Sequence, residues 1–388
     1  GSIGDGVYIM NAQLETGLVA TEYLNSTSVT AKAGVLIDLP RINYDANGEN
    51  GSLLLEPSRS NLVQFSEYFG ASYWTAGGAS VVSGFTSPEG LSNAYKLVED
   101  TSTGLHRLYS GLVSTIVSNT YTTSVYAKAG ERNWVFIEGP SGYTAYFDLT
   151  NGVKGTIVGG TATITPMEDG WYRCTLNWVA QSSNTRHFIY TATGNGGNSY
   201  TGDGTSGVYI FGAMIEAGSY PTSYIPNHGT SGGVTRAADS CSVTGASDVI
   251  GQTEGVIFVE FDKKTGTGER RFFLQIGSGS TTIYARLESN NSLTTQVLNG
   301  GTDYLTSTGT IIPSGNNKFA IGYANNDAVI YLNGTQLASS SSVVVPALSS
   351  LYVGSNSSNA QTIGGEINQA TLFKERLTNA ELATLTTL

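Results

Sequence analysis

The sequence has few of the residues on which metal, redox and acid–base chemistry depend. Its 388 residues include only two cysteines and three histidines. It has no HExxH pattern, no cysteine pair at metal-ligand spacing and no GxSxG elbow. These absences disfavour zinc-hydrolase and serine-hydrolase mechanisms, and we expect the protein not to be an enzyme.

Two cysteines are too few for a disulfide framework. In WYRCTLNW, the alternation of a β-strand places Tyr172, Cys174, Leu176 and Trp178 on one face. Cys174 is then a small buried hydrophobic residue. We expect Cys174 and Cys241 to be free thiols, and the alternative is a single structural bridge between them.

Charge is also scarce, and it is mostly negative. Only 13% of residues are charged, and the formal net charge is -11 with a pI near 4.7. A nucleic-acid backbone would be repelled, so we predict no nucleic-acid partner. No apolar run reaches the roughly eighteen residues that a spanning helix needs, and we predict no membrane insertion.

Glycine and tyrosine are abundant, with 49 and 22 copies. Together with Ser, Thr, Val and Asn they favour short strands joined by tight turns. The chain is long enough for two or three domains, each with its own core. We therefore predict an all-β protein.

Short strands separated by Gly, Asn and Ser clusters fill two regions, residues 58–227 and 240–388. This pattern predicts two β-sandwich (jelly-roll) domains in tandem. The Gly-rich stretch 228–239 is predicted as a linker, and residues 35–57 as a connector hairpin around DANGENG. The one helical signal is LTNAELATL, where Thr378 is placed as N-cap before Glu381, and it predicts a short C-terminal helix.

The strand VYIMNAQLETGLVATEYL of residues 7–24 recurs as VYIFGAMIEAGSYPTSYI at residues 208–225. Similarity at a constant offset indicates a repeat. We predict that residues 1–34 are the closing strand and exit loop of a truncated preceding repeat, and that residues 3–24 dock along the middle domain or a neighbouring chain. A disordered tail is the alternative.

The middle region resembles the carbohydrate-binding jelly rolls of the family 4/9/22 type. The resemblance is carried by Asn61, Leu62, Phe65, Glu67 and Trp74, by GWYRC at 170–174 and by VYIFGAMIEAG at 208–218. It implies a glycan-binding module with a structural calcium ion. The chain departs from the family pattern at Ser66, which separates the Phe–Glu pair.

Two further resemblances concern longer stretches. The motifs LLLEPSRSNLVQFSE, GDGTSGVYIFGAMIEAGSYPTSYIP and VTRAAD, within residues 52–239, are similar to a module of bacteriophage tail and fibre proteins. The motifs EGVIFVEF, DAVIYLNGTQL and GGEINQATLFKERLTNAEL resemble the concanavalin A-like, laminin-G type of sandwich.

A sugar-binding surface needs flat aromatic rings and planar polar groups. Alternation in NWVFIEG and TAYFDL directs Trp134 and Tyr146 outward. We predict a platform of Trp134, Tyr143 and Tyr146, with Arg132 and Arg186 as hydrogen-bond donors. The alternative is that Trp134 and Phe136 belong to the core and that Tyr146 is a single exposed ring.

Calcium is the ion that loop carbonyls and carboxylates favour. The resemblance makes Glu67, Asp203 and Glu216 the predicted ligands, and the alternative is that they bind loop amides without metal. Two further carboxylates, Glu260 and Asp262 in VEFD, have the spacing of the acidic residues on the catalytic strand of concanavalin-like glycosidases. The third acidic position is Thr265 here, so we predict an exposed polar face instead.

The resulting hypothesis is a non-catalytic glycan-binding and structural module of a phage tail, fibre or spike. Its partner would be a cell-surface polysaccharide, its location the virion, and its assembly a homotrimer. One alternative is an accessory carbohydrate-binding region, or a weakly active module, of a secreted polysaccharide-degrading hydrolase or lyase. The other is a scaffold that binds no sugar.

Overall fold

The computed structural model describes residues 41–44, 50–263, 270–358 and 361–388. The predicted closing strand of residues 1–34 lies outside these ranges. Within them the chain forms antiparallel strands, three 3-10 turns and one α-helix, which confirms the all-β prediction and the short C-terminal helix.

The strands of the first half are β1 Ile42–Asn43, β2 Ser52–Leu55, β3 Arg59–Asn61, β4 Thr75–Gly77, β5 Ala79–Phe85, β6 Ala94–Glu99, β7 Thr103–Leu105, β8 Arg107–Tyr109, β9 Val113–Ser114, β10 Thr120–Ala129, β11 Trp134–Glu138, β12 Thr144–Asp148, β13 Val153–Val158, β14 Thr161–Pro166, β15 Trp171–Val179, β16 Asn184–Thr185, β17 Phe188–Ala192, β18 Ser199–Thr201 and β19 Gly207–Ala217. Those of the second half are β20 Val234–Arg236, β21 Cys241–Thr244, β22 Glu254–Lys263, β23 Arg271–Ser278, β24 Thr281–Leu287, β25 Ser292–Asn299, β26 Thr302–Ile311, β27 Gly315–Ala324, β28 Asp327–Leu332, β29 Thr335–Ser340, β30 Ser350–Val353 and β31 Gly365–Phe373, followed by helix α1 Asn379–Leu385.

The described residues divide into two compact units. Unit 1 is Ser60–Thr235, and unit 2 combines the described residues up to Arg59 with Arg236–Leu388. Each unit contains two large antiparallel sheets and its own apolar core.

In unit 1 the two six-stranded sheets have the orders β14-β15-β10-β19-β6-β5 and β13-β12-β11-β17-β8-β4. Their inward side chains make one core, which includes Leu97, Val125, Val135, Ile137, Phe147, Cys174, Leu176, Trp178, Ile189 and Ile210. Cys174, Leu176 and Trp178 share this core as the alternation in WYRCTLNW predicts, and both cysteine thiols are free. Each large apolar side chain removed from water in this way stabilises the unit by about 1.5–3 kcal/mol.

In unit 2 a seven-stranded sheet, β1-β2-β31-β22-β27-β28-β29, accompanies a six-stranded sheet, β21-β30-β23-β24-β25-β26. Helix α1 lies against the seven-stranded sheet, where Leu382 contacts a separate cluster that includes Val256 and Phe258. The helix begins with the predicted capping box, because Thr378 accepts from the Glu381 amide and the Glu381 side chain accepts from the Thr378 amide.

Unit 2 is built from two stretches of sequence that are far apart. Strand β2 pairs with β31, with Leu53 opposite Ile367 and Leu55 opposite Gly365. The predicted connector hairpin of residues 35–57 thus contributes its described strands to a sheet of unit 2.

Buried charges also join these two stretches. Arg41 binds the carboxylates of Glu56, at 2.8 Å, and of Asp239, and Arg236 binds Glu56 as well. The Glu56 amide donates to Asp239 Oδ2 at 2.7 Å. Because Glu56 and Asp239 are 6% and 8% exposed, loss of either arginine would leave a buried carboxylate poorly compensated.

Candidate functional site

Five aromatic rings form a continuous row on the outer face of one sheet of unit 1. The ring centroids are 4.4 Å apart for Tyr146–Phe136, 4.9 Å for Phe136–Tyr190, 6.2 Å for Phe188–Tyr190 and 5.5 Å for Tyr109–Phe188. These separations are those of favourable edge-to-face and offset stacking. We call these five residues the aromatic row, and the sheet surface that carries them the aromatic face.

Strand pairing and alternation place the row. Phe136 on β11 lies directly opposite Tyr146 on β12 and Tyr190 on β17, and Phe188 lies opposite Tyr109 on β8. The intervening residues of these strands point to the core on the other side of the sheet; they are Leu108, Val135, Ile137, Ala145, Phe147 and Ile189. Successive side chains of a strand point to opposite faces of the sheet. Because these residues point into the core, the aromatic residues between them must point to the outer face.

The row is covered at one end and accessible at the other. Tyr146, Phe136 and Tyr190 are 7%, 4% and 1% exposed. Phe188 and Tyr109 are half-buried, and each keeps part of its surface in contact with solvent. A flat ligand can therefore meet rings mainly at the β17 and β8 end.

Polar groups lie beside the accessible rings. Tyr190 Oη donates to the carboxylate of Glu138, and Arg107 Nη1 donates to Tyr190 Oη at 3.4 Å. Burial raises the pKa of Tyr190, and its hydrogen bond to Glu138 raises that pKa further. Tyr190 thus remains a neutral hydrogen-bond donor. Its hydroxyl group links the carboxylate of Glu138 on β11 to the guanidinium group of Arg107 on β8.

Trp134 lies on the same face as predicted, and it is half-buried. It is opposite Asp148 on β12 and Ala192 on β17. Gly155 passes so close that a Cβ there would lie 2.8 Å from the Trp134 ring and 2.5 Å from Asn195 Oδ1. Trp134 is therefore packed on one side, and only part of its ring is available to a ligand.

Arg186 also reaches this face. Its guanidinium carbon lies 5.4 Å from the centroid of the Tyr109 ring, and its Nη1 donates to the Ser110 carbonyl at 2.6 Å. The structure therefore brings three of the five predicted residues, Trp134, Tyr146 and Arg186, to one face, although the Tyr146 ring is covered.

Tyr143 is placed elsewhere. Its side chain packs against the core of unit 1, and its ring lies over the backbone of Gly159 and Gly160. Tyr143 directly precedes β12 and lies two and four residues before the inward-facing Ala145 and Phe147, so alternation points its side chain to the core as well. Tyr143 is thus a packing residue in this structure and does not join the aromatic row.

Arg132 is engaged inside unit 1 as well. Its Nε and Nη2 bind Glu99 Oε2 and Oε1 at 2.8 and 2.5 Å, and Asp203 lies 3.8 Å away. Burial opposes ionisation of Glu99, but hydrogen bonds from Arg132, from Tyr200 and from the Asp203 amide lower the pKa of Glu99 below its ordinary value. Arg132 is therefore a partner of a buried carboxylate and not a free donor.

The three predicted calcium ligands bind different groups of the protein. Asp203 accepts from the amides of Thr205 and Ser206, and Glu216 accepts from the amide and hydroxyl of Thr222. Glu67 accepts from Tyr224 Oη at 3.2 Å. In the part of the chain that the structure describes, no three His, Cys, Asp or Glu side chains form a group that could hold a metal ion. Calcium thus remains a prediction, and these three residues do not form one ligand set.

Glu67 has an unusual environment. Burial raises the pKa of Glu67 to about 7, and the nearby carboxylate of Glu89 adds to that rise. Asn93 hydrogen-bonds both acids and is 4% exposed. At neutral pH the carboxyl group is therefore partly protonated, which an ordinary glutamate is not.

The carboxylate pair of unit 2 lies on a polar face. Glu260 accepts from Asn316 Nδ2 at 2.6 Å, whereas Val259 and Phe261 are fully buried in the core. This alternation agrees with the predicted polar face. Thr265, the third position of the motif, lies outside the described residues.

Sequence reasoning did not select Tyr109, Phe188, Tyr190, Arg107 or Glu138. Alternation in RHFIYTA, the segment that contains β17, would have placed Phe188 and Tyr190 on one face with Ala192. Strand β8 has only three residues, too few for a periodic signal.

Comparison with known proteins supports the concanavalin-like part of the interpretation. The laminin-G family model described as Concanavalin A-like lectin/glucanases superfamily matches residues 257–383. This match confirms the sandwich type predicted for the C-terminal domain. It covers a minority of the chain and does not assign the whole chain to that family. No curated protein matches the sequence.

Solved structures give weaker similarities. The CBM40 of a Ruminococcus gnavus IT-sialidase aligns at 15% identity over 39% of this chain and 97% of its own, with a TM-score of 0.33. Domains LG4-5 of the mouse laminin alpha1 chain align at 12% identity over 70% of this chain and 86% of their own, with a TM-score of 0.26. TM-scores this low establish neither a shared fold nor a shared ligand. Among the described residues, no helix has the length and apolarity that crossing a membrane requires.

Proposed function

We propose that the chain is a non-catalytic glycan-binding and structural protein, and that the aromatic face of unit 1 is its sugar-binding surface. The observation that carries this proposal is the accessible end of the aromatic row, where Phe188 and Tyr109 lie beside Glu138, Arg107 and Arg186. Aromatic rings stack on the apolar faces of pyranoses, and the neighbouring charged groups hydrogen-bond their hydroxyls.

The accessible rings lie on the outer face of a sheet, opposite the core of unit 1. Each of the three histidines is engaged with other parts of unit 1: His106 with the carbonyls of Gly78 and Tyr200, His187 with the Ser124 carbonyl, and His228 against the ring of Tyr68. Glycoside hydrolysis normally uses a pair of carboxylates that flank the scissile bond, whereas the proposed surface is built on the single carboxylate of Glu138, opposite Phe188. We therefore infer binding without bond cleavage.

The biological setting is a bacteriophage tail, fibre or spike, in which unit 1 would contact cell-surface polysaccharide as part of a homotrimer. Only the motif strings of residues 52–239 support this setting. Size-exclusion chromatography with light scattering tests the oligomeric state, and a monomer at high concentration would contradict a trimer formed by this chain.

A glycan array tests the proposed function. Wild type and Phe188→Ala are compared, with Trp134→Ala as a second variant and Tyr352→Ala, a half-buried ring on a sheet of unit 2, as the matched control. We expect wild type and Tyr352→Ala to bind the same glycans, Phe188→Ala to lose most of that signal, and Trp134→Ala to lose less because its ring is partly covered. A wild-type array without signal would favour a scaffold that binds no sugar.

A second function, an accessory region of a polysaccharide-degrading enzyme, is favoured by the matched superfamily, whose description includes glucanases. Release of reducing ends from a polysaccharide panel would support it. If release persisted in Glu260→Gln, Glu260 would have no catalytic role.

A further inference from the structure

The ring of Tyr109 is contacted by two guanidinium groups. The Arg107 guanidinium carbon lies 5.5 Å from its centroid, and that of Arg186 lies 5.4 Å away. Arg107 also lies 5.9 Å from the ring centroids of both Phe188 and Tyr190. Two cations are thus held at the accessible end of the aromatic row.

Neither cation has a carboxylate partner among the residues that the structure describes. Arg107 donates to the neutral Tyr190 hydroxyl at 3.4 Å, and Arg186 donates to the Ser110 carbonyl at 2.6 Å. Acidic residues outnumber basic ones by 30 to 19 in this chain. Two neighbouring arginines that form no direct ion pair with an acid are therefore unexpected if their only role is structural.

Arg286 of unit 2 provides a comparison within the same molecule. It too lies over aromatic rings, 5.0 Å from Tyr284 and 5.6 Å from Phe272. Its Nε, however, donates to Glu288 Oε1 at 2.8 Å. An arginine that only packs on rings in this protein can thus be neutralised by a local carboxylate, whereas Arg107 and Arg186 keep donors available.

We propose that Arg107 and Arg186 bind the carboxylate of an acidic sugar residue whose ring stacks on Phe188 and Tyr109. The proposal rests on the function proposed above and names its substrate class, an acidic polysaccharide. A guanidinium group has a planar fork of donors that matches the two oxygens of a carboxylate. Glu138, opposite Phe188 on β11, would repel a second carboxylate and accept from a sugar hydroxyl, so the acidic group is directed toward β8.

The net charge of -11 does not prevent this contact. Repulsion by distant surface charges is screened over about 8 Å at physiological ionic strength, whereas direct ion pairs on a partly buried face are screened much less. The expected complex is therefore of moderate affinity, and it weakens as salt concentration rises.

The test uses polysialic acid, polygalacturonate and hyaluronan, each beside a carboxyl-reduced form in which the acid has become a primary alcohol. Isothermal titration calorimetry compares wild type, Arg107→Gln, Arg186→Gln and the matched control Arg286→Gln. We expect wild type to bind at least one acidic polymer about tenfold or more tightly than its reduced form. Arg107→Gln should lose about tenfold on the acidic form, or about 1.4 kcal/mol, and little on the reduced form.

The outcomes separate the two proposals. Equal affinity of wild type for the acidic and reduced forms, or binding of dextran sulfate as tight as that of the carboxylated polymers, would overturn the carboxylate assignment and leave sugar binding intact. Wild-type binding to no member of the panel and to no glycan on the array would overturn both. If a thermal melt shows that Arg107→Gln is unfolded, Arg186→Gln provides the comparison of acidic and reduced polymers, because Arg186 lies outside the strands.

Discussion

Glu99 and Arg132 form a two-point ion pair in unit 1, with Nε–Oε2 at 2.8 Å and Nη2–Oε1 at 2.5 Å. Glu99 is 1% exposed, and it also accepts from the Tyr200 hydroxyl at 2.7 Å and the Asp203 amide at 2.9 Å. A residue that sequence reasoning selected for sugar binding therefore holds a buried carboxylate in place.

Replacing Arg132 by Gln should destabilise the protein by about 3 kcal/mol, because a buried carboxylate loses its counter-ion while the arginine itself is partly exposed. Glycan affinity of the folded variant should be unchanged. Urea unfolding and calorimetric titration measure the two effects. Arg270→Gln, which removes an exposed partner of Glu288, is the control and should cost less than about 1 kcal/mol. A large loss of glycan affinity in the folded Arg132→Gln variant would instead show that Arg132 contributes to glycan binding.

Tyr143 should likewise affect stability and not binding. Tyr143→Ala removes a ring that packs on the core and on Gly159 and Gly160, and we expect a loss of about 2 kcal/mol. Tyr143→Phe keeps the ring and should be close to wild type. Chemical denaturation and the glycan array together check this. Reduced glycan signal in a Tyr143→Phe variant of normal stability would contradict the packing role.

The raised pKa of Glu67 predicts a pH dependence of stability. The pKa is about 7 in the folded protein against an ordinary 4.5, so the folded state retains a proton that the unfolded chain releases in this window. This contribution to stability is complete below about pH 4.5, is lost as the pH rises to about 7, and stays lost above it.

Glu67→Gln removes that dependence. The variant should match wild type near pH 4.5 and exceed it by about 3 kcal/mol at pH 8, provided the amide keeps the hydrogen bond from Tyr224. Melting curves at several pH values measure the difference. Glu168→Gln, at an exposed carboxylate, is the control and should run parallel to wild type. Parallel curves for Glu67→Gln and wild type would show that the Glu67 pKa is ordinary.

The capping box of α1 gives a prediction for unit 2. Thr378→Ala removes the hydroxyl that accepts from the Glu381 amide, and it should cost about 1 kcal/mol. Thr378→Ser retains the acceptor and should cost little. Hydrogen exchange of the Leu382 amide reports the effect locally. Unchanged exchange in Thr378→Ala would mean that packing of Leu382 alone holds the helix.

Much of the fold was predictable because alternation and capping are local. WYRCTLNW identified its inward residues, NWVFIEG directed Trp134 outward, and Thr378 marked the start of the helix. The abundance of Gly and Tyr indicated a strand-rich protein without identifying the position of any single strand.

The site was predictable only in part. Alternation tells which face a ring occupies but not what covers it, and Tyr146 is 7% exposed because neighbours from other strands pack around it. Arg132 lies just before β11, where strand parity no longer applies, and its partner Glu99 is on another strand. The short strand β8, which supplies Arg107 and Tyr109, has no periodic signal at all.

The pairing of β2 with β31 has a consequence for synthesis of the chain. Leu53–Leu55 is separated from its partner Gly365–Ile367 by about 310 residues, so β2 is synthesised long before β31. The described strands of unit 1 come from one continuous stretch and can pair as they emerge. In unit 2, β2 has no partner until β31 has been synthesised. A fragment starting at Arg236 would lack β2, so its β31 would have an open hydrogen-bonding edge and would be prone to aggregate.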